Sequence, residues 1–289
     1  MNTRFRKNLS GRMSFYSYIP CRMQEYDIIC DDKLKIQIEK LWQLSDELNK
    51  KIACSDKQVI DDLIAAEAHD SWRIASDKTE FSFVISYSPN NNENEVNIKR
   101  AITYAVDTLT ELPLSSRLFC NMHYIVCDSS EYDKKYRGEY RTSPVWIGKQ
   151  GCRISDASFV PPVGEDMTEA ITDLENFIHY SDYDTFVKAA LIHYQFEMIH
   201  PFIDANGRMG RLLNNLFLFE NEVLSYPTLL LSHIISRSYN EYCQSIQQVN
   251  ITGDISAWIK LWLDYLINSM GYTLQTINNK MTYDKGIVF

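Results

Sequence analysis

The stretch DTFVKAALIHYQFEMIH, residues 184–200, is apolar on nearly every side when wound as a helix. Such a helix has no face to give to water, so it must run through the middle of other helices. It ends at His200-Pro201, where the proline biases its predecessor away from helical dihedrals and stops the helix near Ile199 or His200. A short polar loop follows, Asp204-Ala205-Asn206-Gly207. Then Met209, Leu212, Leu213, Leu216 and Phe219 recur at helical spacing, so a second helix begins near Arg208. The chain is thus organised round a buried helix that delivers a loop and a helix N-terminus to one place.

The rest of the sequence supplies partners for that helix. With only 10 Gly and 8 Pro in 289 residues, and long stretches of three-to-four periodicity, the protein is expected to be mainly α-helical. Helices are expected over 33–52, 55–76, 95–112, 113–127, 165–179, 183–199, 208–223, 227–249 and 254–270. SPNNNENE (88–95) reads as a connection, and QTINNKMTYDKGIVF at the end as an irregular tail. Residues 136–164 carry scattered Gly and Pro around the β-prone PVWIG, which reads as a small hairpin. The implied division is an N-terminal arm (1–30), an N-terminal helical region (31–112), a core (113–270) and a tail (271–289).

The formal charge of −9 argues against a general nucleic-acid binder, which would show a basic face, but leaves room for a local basic pocket. The basic start has no continuous apolar core, so it is read as a loose arm rather than a secretory signal. No window of 18 apolar residues exists, so no membrane partner is expected. Seven scattered cysteines without a CxxC pair support neither a disulfide framework nor a zinc ribbon, and fit a reducing cytoplasm.

The helix expected near Arg208 opens with Arg208 and Arg211, although the positive end of a helix dipole disfavours cations. Two arginines three apart there expect an anion. The backbone N–H groups of Ala205, Asn206 and Gly207 form a nest for one, and guanidinium groups bind phosphate bidentately. Asp204, a lone carboxylate beside phosphates, suits Mg²⁺, and His200 suits a general base. Each residue also has an ordinary reading: a helix cap, paired arginines, a satisfied buried histidine. All of them within twelve residues favour a nucleotide-dependent transferase or hydrolase. Metal hydrolysis fits less well. His193, Glu197 and His200 lack the HExxH order, and Glu197 to His200 is a single ExxH where a di-iron bundle needs two. His193 and Glu197 are expected to make buried hydrogen bonds.

His200 to Arg211, HPFIDANGRMGR, resembles the signature of Fic domains, HxFx(D/E)(G/A)NGRxxR. It matches at His200, Phe202, Asp204, Asn206, Gly207, Arg208 and Arg211, with Ala205 where Gly is more frequent. GEYRTSPVWIG, SFVPP, KAALIHYQFEMIHPF, LSYPTLLLS and EYCQSIQQVNITGDISAWIKLWL extend the similarity over roughly 30–270. The resemblance implies an all-α fold, a Fic-type helical bundle with a small β-hairpin flap and an N-terminal helical region. It also implies adenylylation, the transfer of AMP from ATP to a Ser, Thr or Tyr hydroxyl of a protein. On this sequence His200 would be the base and Asp204 the Mg²⁺ ligand. Ala205, Asn206, Gly207, Arg208, Gly210 and Arg211 would hold the phosphates.

The resemblance further assigns Pro144-Val145-Trp146-Ile147-Gly148 as the flap that holds the target backbone. It places Tyr242 and Asn250 at the nucleoside pocket, where many relatives have a second tyrosine at the position of Cys243. A winged-helix DNA-binding domain, appended in many larger relatives, is not expected after the 254–270 helix. Many relatives also carry an inhibitory helix, (S/T)xxxE(G/N), whose Glu pairs with the second motif arginine. EAHDSWRIAS, Glu67 to Ser76, aligns Ser71 with its hydroxyl and Ala75 with its Glu. A shifted reading, Ser76 to Glu80, restores a Glu but puts Phe81 where Gly or Asn belongs. Expected partners are ATP, an unidentified target protein and, as one option, a second copy in a homodimer. An enzyme of this fold that removes AMP or transfers another phosphate-containing group, and a non-catalytic nucleotide sensor, stay as alternatives.

Overall fold

The computed structural model describes residues 4–10, 13–76, 92–129, 132, 134–149 and 151–284. The helices among them are α1 (Asp32–Ala53), α2 (Lys57–Ser76), α3 (Glu93–Thr108), α4 (Ser116–Val126), α5 (Glu165–Tyr180), α6 (Thr185–Ile199), α7 (Asn206–Glu220), α8 (Leu231–Arg237), α9 (Tyr239–Thr252) and α10 (Ser256–Asp284). The two strands, β1 (Phe5–Ser10) and β2 (Met13–Tyr18), pair antiparallel from Phe5 opposite Tyr18 to Ser10 opposite Met13. The fold is the expected all-α bundle, but its small hairpin is N-terminal and not the expected flap. No helix among the described residues is long and apolar enough to cross a membrane.

Helix α6 is the axis of the bundle. Every residue from Phe186 to Phe196 is buried, with α5, α7 and α10 packed around it. Asp184 caps its start by accepting from the Phe186 N–H at 2.9 Å. Its polar side chains find partners inside. Lys188 donates to the Ile178 and Ser181 carbonyls, and Gln195 donates to the Cys21 carbonyl. Trp258 and Trp262 of α10 donate their indole N–H groups to the Ala190 carbonyl and to Asn214 Oδ1. Satisfied in this way, buried polar groups fix one packing arrangement without the cost of an orphan.

Three elements differ from expectation. The basic N-terminal residues, expected as a loose arm, form the β1–β2 hairpin. Phe15 buries itself with Ile154 and Val160, Tyr18 donates its N–H to the Val160 carbonyl at 2.8 Å, and Met23 and Tyr26 enter the main core. Residues 227–249, expected as one helix, divide. Asn215 bonds both backbone groups of Leu229, which holds the chain extended until α8, and Ser238 breaks α8 from α9 while its hydroxyl donates to Tyr265. The expected irregular tail continues α10 through Asp284, because Met270, Leu274 and Ile277 carry the apolar stripe onward and α1 packs along α10.

Residues 136–164 do turn back on themselves, but a single bridge closes them. Ile147 donates to the Phe159 carbonyl at 2.8 Å and accepts from its N–H at 3.1 Å. Pro144, Pro161 and Pro162 have no N–H to extend the ladder.

Candidate active site

Loop 200–205 leaves α6 by a left-handed residue and enters α7 by another. His200 has φ 49° and ψ 58°, and Ala205 has φ 62° and ψ 9°. Left-handed backbone costs a residue with a Cβ on the order of 1–2 kcal/mol, which explains why Gly is the commoner residue at the Ala205 position. Neighbouring side chains hold the loop against that cost. Asn206 clasps Phe202, accepting from its N–H at 2.8 Å and donating to its carbonyl at 2.9 Å. Buried Arg141 donates to the carbonyls of His200 at 2.8 Å, Ile199 at 3.1 Å and Pro162 at 2.7 Å.

His123 of α4 completes the clamp. It stacks on Phe202 at 3.8 Å, accepts from the Gly138 N–H at Nδ1 and therefore donates from Nε2 to the Asp204 carbonyl at 3.2 Å. Burial lowers its pKa from 6.5 to about 4. With the folded pKa depressed, its contribution is complete above about pH 6.5 and fades as pH falls toward 4. His123→Ala is expected to destabilise the protein by about 2–4 kcal/mol in denaturant unfolding at pH 7, through two lost hydrogen bonds and a cavity. A loss under about 0.5 kcal/mol, the range of ordinary surface changes, would contradict this clamp.

Helix α7 begins with no side chain capping it, so its first N–H groups face out of the loop. Arg208 is buried (3% exposed). Its guanidinium lies 5.2 Å from the Trp72 ring centre and 5.3 Å from that of Tyr132, with Nη2 3.4 Å from Asp204 Oδ1. Its Nε and Nη1 are buried without a hydrogen-bond partner among the described residues. Arg211 is also buried. It donates from Nε to the Ser71 hydroxyl at 3.1 Å and from Nη2 to the Ser71 carbonyl at 2.8 Å. The Asp204 side chain is 64% exposed at the rim. His200 is 23% exposed, with Nδ1 3.3 Å from the Glu197 carbonyl, which leaves Nε2 as the acceptor nitrogen. Burial lowers its pKa to about 4, so the ring is neutral near pH 7. An uncapped helix start, two buried guanidiniums, a rim carboxylate and a neutral imidazole can bind a polyphosphate and take up a proton beside it.

The other expected site residues are placed as follows. Gly210 lies against α6, where an added Cβ would come within 2.6 Å of Glu197 Oε1 and 3.3 Å of Phe196, so it allows the two helices to approach. Tyr242 is buried with its hydroxyl 2.9 Å from His193 Nε2. Asn250 accepts from the Tyr194 hydroxyl at 2.9 Å. The polar atoms of both are committed to the packing of α6 against α9. Half-exposed Tyr239, stacked on Tyr242 at 5.9 Å, is the aromatic that α9 leaves open, and its phenol lies within electrostatic reach of Arg211. The i, i+3 spacing in SYNEYC is a signal that could have found it. In the flap segment, Trp146 and Ile147 are exposed, and Trp146 donates to the Cys152 carbonyl. Ala75 is exposed one turn beyond Ser71, and Glu80 lies outside the described residues. His193 makes its buried hydrogen bonds to Gly210 and Tyr242, whereas Glu197 Oε1 has none among the described residues and lies close over Gly210.

Residues 113–218 match the model of the Fic/DOC family. The chain is 31% identical to the protein adenylyltransferase Fic of Aedes aegypti over 130 residues, 44% of this chain and 23% of that protein. To protein adenylyltransferase fic-1 of Caenorhabditis briggsae it is 29% identical over 126 residues, 43% of this chain and 22% of that one. The match thus spans under a quarter of the length of these relatives. A Fic family protein from Desulfovibrio desulfuricans superposes with a TM-score of 0.67 at 16% identity, over 87% of this chain and 77% of its own. A Fic domain containing signaling protein from Bacteroides thetaiotaomicron gives 0.62 at 18% identity, over 84% of this chain and 97% of its own. At these identities the two structures bear on the fold. With the motif His200 to Arg211 near their end, residues 113–218 form a domain of the Fic/DOC family.

Proposed function

We propose that this protein transfers AMP from ATP to a Ser, Thr or Tyr hydroxyl of a target protein, with His200 as the general base. The observation that supports it most is Arg208. A buried guanidinium with two nitrogens that have no hydrogen-bond partner among the described residues, at an uncapped helix N-terminus, is costly unless an anion completes it. The names of the curated relatives, protein adenylyltransferases, agree with this reading.

In this reading the α-phosphate rests on the first N–H groups of α7, and Arg208 and Arg211 meet the outer phosphates. His200 Nε2 accepts the proton of the target hydroxyl, whose oxygen attacks the α-phosphorus as the bond to the leaving pyrophosphate breaks. Asp204, a single exposed carboxylate beside that helix start, fits Mg²⁺, which takes one or two carboxylates and completes its shell with phosphate oxygens and water. When bound, Mg²⁺ neutralises phosphate charge. Ile147 spends both backbone groups on Phe159, so by strand alternation its neighbours in Pro144–Gly148 turn theirs to the opposite edge, where a target segment can pair.

The reading is tested by incubating the protein with MgATP and a cell lysate and seeking AMP adducts on hydroxyl side chains by mass spectrometry. Adducts are expected with the wild type and absent with His200→Ala. Phosphate adducts in place of AMP would overturn the assignment. Calorimetric titration tests the ligand roles. Asp204→Ala is expected to weaken Mg²⁺-dependent ATP binding about tenfold, and Arg211→Ala to weaken ATP more than ADP. Equal loss for both nucleotides would move Arg211 to an inner phosphate or a structural role.

A further inference from the structure

Glu197 stands one turn before His200 on α6, largely buried, and nothing in the mechanism above uses it. Buried carboxylates are ordinarily hydrogen-bonded, yet its Oε1 has no partner among the described residues. That oxygen lies over the first turn of α7, where a Cβ added to Gly210 would meet it at 2.6 Å and one on Gly207 at 3.9 Å. The other oxygen, Oε2, is 4.0 Å from His200 Nδ1. The Nδ1 edge of His200 therefore faces two acceptors of one residue, the Glu197 carbonyl at 3.3 Å and its carboxylate. The titratable groups round the carboxylate are His193 on its own helix, His200 just past the end of that helix, Arg211 on α7, and Tyr239, Tyr242 and Cys243 on α9. Of these, Arg211 favours its charged form.

We propose that Glu197 is the positioning residue of His200. Its carboxylate holds the Nδ1–H edge, keeps Nε2 the proton acceptor, and balances the imidazolium formed when Nε2 takes the hydroxyl proton. The proton stays on Nε2 and Glu197 keeps its charge throughout. This role rests on the reading of His200 as the base.

Burial holds the Glu197 carboxyl up at about 7, with Arg211 opposing, whereas His200 is held down at about 4. Below pH 7 the carboxyl is protonated and cannot balance an imidazolium, so activity should rise with pH through about 7 in the wild type. The test is Glu197→Gln, which keeps the shape and removes the charge. Expected are an ATP affinity within about twofold of wild type, a kcat lower by about tenfold or more, and an acidic limb of kcat/KM that no longer lies near 7. NMR of ¹⁵N-labelled histidine gives a readout independent of activity, in which the His200 nitrogen shifts should step near pH 7 as Glu197 ionises in the wild type and lose that step in the variant. Wild-type kcat with an unmoved limb, or a His200 shift step near pH 7 that persists in a variant that melts like wild type, would overturn the proposal. So would tighter ATP binding with higher activity, because Glu197 would then be a counter-ion of Arg211 that competes with phosphate. His200→Ala, assayed in parallel, separates the two readings. An active His200→Ala removes the base itself, whereas an inactive one beside a fully active Glu197→Gln removes only the positioning role.

Discussion

His200→Ala is expected to lower AMP transfer by about a hundred- to ten-thousand-fold while ATP binding stays near the wild-type value. The separation follows from how the loop is held. Arg141 grips the carbonyl of residue 200 rather than its ring, and Asn206 and His123 fasten Phe202 and Asp204, so removing the imidazole leaves the helix start of α7 in place. The left-handed backbone at residue 200 is already carried by a residue with a Cβ, so alanine brings no new strain there. What disappears is Nε2, the proposed acceptor for the hydroxyl proton. Transfer rates with a saturating target and calorimetric ATP titrations on the same preparations check both halves. Transfer at the wild-type rate would remove His200 from the chemistry, and ATP affinity lost together with transfer would make the residue structural.

Ala75→Glu should suppress transfer by about tenfold or more. Glu67, Ser71 and Ala75 follow one another at four-residue steps on α2 and so share a face. Glu67 accepts from the N–H and hydroxyl of Ser232, and Ser71 accepts twice from Arg211, so this face is the one turned to the site. A helical side chain leans toward the N-terminus, which carries a carboxylate at position 75 back over Ser71 and toward the Arg211 guanidinium. There it would compete with the γ-phosphate for the same cation. On this alignment the wild type lacks the brake and Glu80→Ala changes little. A sharp rise in transfer from Glu80→Ala would instead favour the shifted alignment and an autoinhibited wild type.

What the sequence made legible was what local pattern encodes. The uniform apolarity of 184–200 required a central helix, and the His-Pro stop, the polar loop and the renewed periodicity from Met209 located the site between two helices. The two arginines for which the sequence expects an anion lie buried at an uncapped α7, and Nε and Nη1 of Arg208 have no hydrogen-bond partner among the described residues. The clamp on the loop was not legible. Arg141 and His123 lie 59 and 81 residues from the backbone they hold, and nothing in YRGEYR or NMHYIV distinguishes them from surface residues. Tyr242 read as a nucleoside contact because position and residue type fit, whereas its hydroxyl is spent on His193, a pairing only tertiary packing reveals. The N-terminal hairpin escaped notice for a related reason. Its strands are fixed by Phe15 and Tyr18 meeting Val160 and Phe159, partners more than a hundred residues away.

The central claim, AMP transfer at the start of α7, is tested most directly by which phosphate of ATP reaches protein. Parallel incubations of the protein with MgATP and lysate should use label at the α-phosphate in one and at the γ-phosphate in the other. The account predicts protein-bound label from the α-position alone, absent in His200→Ala. Label arriving from the γ-position, or α-label that persists undiminished in His200→Ala, would contradict it.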